Sequence, residues 1–133
     1  MQNKSFWLAF TAYLLPTFLM GYFWHLSWFV EQYHHLNLYR ADVIIPMGLL
    51  SMLIQAIFFA WAYPRLFSGL DWKAGALRLG LLFGLLAWSL TTLPVAAKYQ
   101  MTSIKNFMLL ETGFTILQFA VVAPLIALAY RKR

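Results

Sequence analysis

Two groups of residues in this chain are of types that could carry chemistry. One is Glu111, an acid about one turn inside an otherwise apolar stretch. The other is the set His25, Glu31, His34 and His35, gathered near the end of the first apolar run. A carboxylate inside a hydrocarbon-bounded helix is costly and normally faces the protein interior with a partner. Glu111 is therefore expected to hold a ligand, accept a proton or bind a metal, or else to form an interfacial salt bridge. His25, Arg40, Lys98 and Lys105 are its expected partners. Glu31 and His35 are four apart, so on a continuous helix they share a face. Imidazole and carboxylate suit zinc, iron, nickel or copper, which makes Glu31 and His35 the metal candidates. The alternative is that these histidines simply meet headgroups or a partner subunit. His25 lies a turn and a half before Glu31 and points elsewhere unless the chain bends.

Other chemistries lack their residues. Cysteine is absent, which removes disulfides, thiolate metal sites and cysteine nucleophiles. Ser27 and Ser51 have no oriented base beside them. Dinucleotide, phosphate-loop and zinc-protease motifs are missing. No catalytic residue is assigned, no cofactor is named, and the balance leans away from an enzyme.

The elements that must position these side chains are apolar runs at residues 6–30, 43–63, 74–97 and 107–130. A helix needs about 20 residues to cross a hydrocarbon core roughly 30 Å thick. Hydrophobic residues make up 62% of the chain and charged residues 11%, against about a quarter charged in soluble domains. The expected fold is all-α: one domain, 1–133, built as an antiparallel bundle of four transmembrane helices. The first run is too long for a signal peptide, and bulky Trp24, Trp28 and Phe29 stand where cleavage would fall.

Short connections allow orientation to be read from basic residues. Lys4, Arg65, Lys73, Arg78, Arg131, Lys132 and Arg133 fall on one side, against Arg40, Lys98 and Lys105 on the other. Seven against three places both termini in the cytoplasm, with a bacterial inner membrane as the expected setting. The net charge of +6 is thus a topology signal rather than a nucleic-acid surface. All three histidines, with Glu31, Asp42 and Glu111, then gather at the outer face.

Small residues at fourth positions mark close helix approach, above all Gly80 and Gly84 in the third run. They predict either packing within the chain or a dimer face. Pro16 and Pro94 lie deep enough to kink their helices. Gln55 and Gln118, near mid-depth, predict either interhelical hydrogen bonds or a polar path. Asp71 is placed to cap the third helix.

Gly21-Tyr22-Phe23-Trp24 at the end of the first helix, Tyr63 closing the second, Gly75, Gly80 and Gly84 after Asp71-Trp72, and a basic tail give a layout. It resembles small uncharacterised four-span bacterial membrane proteins. The resemblance implies fold and location and transfers no functional residue. The expected function is an accessory or structural subunit of a larger membrane complex. Alternatives are an oligomeric small-solute or ion transporter, or an outward-facing metal- or lipid-binding membrane protein. Expected partners are membrane lipids and other membrane subunits or further copies of the chain.

Overall fold

Five α-helices and one π-helical turn make up the chain in a computed structural model that describes residues 2–131. Lys132 and Arg133 of the basic tail lie outside the described residues. Helix α1 (Gln2–Phe23) runs into a π-helical turn (Trp24–Trp28), followed by a short α2 (Val30–His35). Then come α3 (Ile45–Leu66), α4 (Trp72–Lys98) and α5 (Ile104–Ala129). Four segments are long and apolar enough to cross a membrane: Asn3–Trp28, Ile45–Leu66, Trp72–Lys98 and Ile104–Ala129. The protein is an all-helical bundle of four such helices, and its four apolar helices fit a small integral membrane protein.

Local chemistry sets the helix ends. Asp71 accepts the backbone N–H groups of Lys73 and Ala74 at 2.9 and 3.2 Å, meeting donors that the first turn of α4 leaves unpaired. Ser103 does the same for Asn106 at the start of α5, at 3.1 Å. Pro46 sits in the first turn of α3, where a missing N–H costs nothing. Pro16, Pro94 and Pro124 lie inside helices that continue past them.

The first run departs from expectation at its C-terminal end. Instead of one helix through Val30, the backbone N–H of Phe29 bonds to the carbonyl of Trp24, five residues back, at 3.1 Å. Phe29 itself leaves helical geometry (φ −113°, ψ 19°), and α2 sets off anew. A π turn adds a residue to the helical cycle and is often found at functional sites. Here it accompanies the seating of the Trp24 ring on α5, where a β-carbon at Gly113 would come within 3.3 Å of the indole.

Packing runs in the spatial order α4, α5, α1, α3. The main core fills the half of the bundle that holds the chain termini. It includes Ala9, Ala56, Ala60, Leu79, Val122 and Ile126, all essentially buried. Gly80 and Gly84 face α5 within the chain: β-carbons there would lie 3.5 Å from Ala123 Cβ and 3.3 Å from Phe119 Cγ. Close approach of this kind is what holds apolar helices together in lipid. A smaller core of Tyr33, Leu36 and Phe107 closes the opposite end. Two hydrogen bonds tie the α4–α5 connection to the α2–α3 connection: Thr102 N–H to the Leu36 carbonyl at 3.2 Å, and the Thr102 hydroxyl to the His35 carbonyl.

The ring of helices is incomplete on one side. α3 and α4 touch through Phe58 and Phe59 against Phe83, and through Tyr63 against Gly75. Beyond that point α3 stands free, and every residue from 41 to 51 is exposed.

Candidate functional site

The free end of α3 opens a cavity of about 800 Å³. Three walls are partly polar. α1 contributes Tyr13 and Thr17, the π-helical turn contributes His25, α3 contributes Ser51 and Gln55, and α5 contributes Glu111, Thr115 and Gln118. α4 supplies a largely apolar wall of Leu86, Ala87 and Leu90. Phe59, Phe83 and Phe119 pack edge to face and border the cavity on the side of the main core.

At the end of this cavity away from the main core sits Glu111, and three side chains converge on its Oε1. The Tyr33 hydroxyl donates at 2.6 Å, His25 Nε2 lies at 3.3 Å and the Tyr39 hydroxyl at 3.4 Å. Trp24 Nε1–H in turn donates to the Tyr33 hydroxyl at 3.2 Å. Tyr33 and Tyr39 stack at 4.8 Å, nearly parallel at 9°. His25 packs against Tyr33 and Phe114 at 4.8 and 4.6 Å. Glu111 Oε2 receives no donor among the described residues.

His25 is fixed at both ring nitrogens: Nδ1 lies 3.0 Å from the Gly21 carbonyl oxygen and Nε2 3.3 Å from Glu111 Oε1. Both side chains are mostly buried, at 20% and 16% exposed. Burial, and then the charge of Glu111, push the hydroxyls of Tyr33 and Tyr39 well above their ordinary pKa of 10.0. Both remain phenols, able to donate.

Deeper in the bundle a second polar group ties three helices. Tyr13 donates to Gln55 Oε1 and accepts from Gln118 Nε2 at 3.2 Å, while Gln55 Nε2 donates to Ser51 Oγ at 2.9 Å. Gln55 and Gln118 thus make interhelical hydrogen bonds through Tyr13.

Of the residues expected at the site, the structure brings His25 and Glu111 together and leaves the others apart. Glu31, His34 and His35 are exposed on α2. Among the described residues no three His, Asp or Glu side chains are grouped to hold a metal. The helix breaks at Phe29 before α2, and Glu31 and His35, four apart on α2, are both exposed. Arg40 pairs with exposed Asp42 at 3.1 Å rather than with Glu111, and Lys98 and Lys105 are exposed. Tyr33 and Tyr39 were not expected to hold the acid. The available signal was their place in the segment following His25, since a carboxylate in hydrocarbon can be met by neutral donors as well as by cations. A second signal was the four-residue spacing of Tyr13, Thr17, Gly21 and His25, which marks one face of α1.

Comparison with known proteins gave no match: no protein family, no curated protein and no solved structure corresponds to the chain.

Proposed function

We propose that the protein binds an amphipathic, lipid-like molecule that enters from the outer leaflet between α3 and α4 and sets its polar head against Glu111. The carrying observation is the side-open cavity with a single preorganised carboxylate at its outer end. Three side chains occupy Oε1, so the free Oε2 suits a head that donates: a hydroxyl, an amide N–H or an ammonium. Ligand sites are commonly apolar clefts of roughly 300–1,000 Å³ with a few placed polar groups, and this cavity has that form. The outer leaflet follows from the excess of basic residues near the termini.

Native mass spectrometry of protein released gently from its own membrane tests this. The expected result is a retained lipid-sized mass, at most one per chain, that is lost in Glu111→Gln. A wild-type protein that carries only the exchangeable lipid bound equally by Glu111→Gln would overturn the reading.

A second reading, as accessory subunit of a larger membrane complex, draws on the exposed start of α3. A partner's helix could cover residues 41–51 in place of lipid. The same spectrum would then show another polypeptide in fixed ratio.

A further inference from the structure

Polar side chains recur at helical spacing down the cavity. Glu111 and Gln118 are seven residues apart on α5, so they share a face and lie about 10 Å apart along the axis. The cavity therefore has two polar stations: Glu111 with His25 at the outer end, and Ser51, Gln55 and Gln118 further in. Thr115, between them on α5, spends its hydroxyl proton on the Glu111 backbone carbonyl, and Leu86, Ala87 and Leu90 line the α4 side.

The inner station is not satisfied by its own bonds. Gln118 donates to Tyr13, but its carbonyl oxygen has no partner among the described residues. Ser51 Oγ accepts from Gln55, and its own proton has no acceptor there. Thr17 Oγ1, beside them on α1, is buried without a partner. Unmet polar groups are costly at membrane depth, where no water is at hand. A hydroxyl placed here would take the Ser51 proton and donate to the Gln118 carbonyl. At the outer station Glu111 Oε2 is open, and a neutral hydroxyl can donate to it without bringing a further charge into the bundle.

Resting on the reading of the cavity as an amphiphile site, we infer that its ligand is a neutral lipid oxygenated at two points about 10 Å apart along an apolar frame. One oxygen is a head hydroxyl donating to Glu111. The other is a hydroxyl deep in the chain, accepting from Ser51 and donating to the Gln118 carbonyl oxygen.

Calorimetric titration of the protein in lipid nanodiscs distinguishes this from simple amphiphile binding. The probes are α,ω-alkane diols of increasing length, each compared with the mono-alcohol of equal length. Mono-alcohol affinity should rise smoothly with length. Diol affinity should show an optimum where the oxygens span about 10 Å, about five-fold above the matched mono-alcohol, as one net hydrogen bond gives. Ser51→Ala and Gln118→Leu should each remove that optimum, so that diol and matched mono-alcohol affinities converge, while Glu111→Gln weakens both series. Should Gln118→Leu not fold, Ser51→Ala, at an exposed position, carries the test. An absent optimum, or one that survives Ser51→Ala, overturns the two-oxygen ligand while leaving the amphiphile site standing. Failure of both series to bind in a Glu111-dependent way overturns both.

Discussion

The closest partner of Glu111 is the Tyr33 phenol, at 2.6 Å against 3.3 Å for His25 and 3.4 Å for Tyr39, and the two phenols make themselves felt at high pH. Burial and the neighbouring carboxylate raise the pKa of Tyr33 and Tyr39 above the unfolded value of 10.0. A group whose folded pKa is raised contributes stability that is complete below its unfolded pKa and is lost as pH climbs through the folded one. The thermal midpoint of the wild type should therefore fall more steeply above about pH 10 than that of the Tyr33→Phe, Tyr39→Phe double variant. The double variant should be the less stable protein at neutral pH, because Glu111 loses two donors. Parallel curves for the two proteins would show that the phenols do not sense the carboxylate. His25 contributes differently: contacts at both ring nitrogens, to the Gly21 carbonyl and to Glu111, fix the ring against the carboxylate.

At the scale of the helices, two glycines with opposite surroundings give opposite expectations. A methyl group at Gly75 would overlap the Tyr63 hydroxyl where α3 and α4 meet. Gly75→Ala should then cost about 1–3 kcal/mol, as overpacking does. A methyl group at Gly48 meets nothing on the free end of α3, and Gly48→Ala should stabilise by about 0.8–1 kcal/mol through helix propensity alone. Thermal midpoints in one detergent check both, and a Gly48→Ala loss would mean that the start of α3 packs against something. The same contrast explains what could be read from residues alone. Four spans were legible because each apolar run is long enough to admit one reading, and Glu111 stood out because it interrupts such a run. The break at Phe29 was not legible: residues 24–29 contain neither glycine nor proline, and the π turn goes with Trp24 packing on Gly113, a tertiary contact. Without that break, the line-up of Tyr33 over Glu111 and the exposure of Glu31 and His35 could not be foreseen. The splaying of α3 from α4 was hidden for a similar reason, since apolar residues face lipid and core alike.

At the scale of the whole molecule, the cavity has a direction only if the topology does. The absence of cysteine makes this simple to test. In whole cells, an impermeant thiol reagent should label a cysteine placed at Gln100 and spare one placed at exposed Ser68, the outcome expected from the excess of basic residues on the side of the α3–α4 connection. The reverse pattern would place the cavity mouth in the cytoplasmic leaflet. The orientation would then serve a different lipid pool, with the same chemistry at Glu111. The measurement that bears most directly on the central claim is photolabelling in native membranes with a long-chain alcohol carrying a diazirine in mid-chain. Labelled peptides should come from the outer half of α3 and from α5 between Glu111 and Gln118, and an excess of unlabelled alcohol should suppress them. Label spread evenly over the lipid-facing leucines Leu81, Leu82 and Leu85 of α4, without competition, would contradict a bound amphiphile and leave the cavity as annular lipid space.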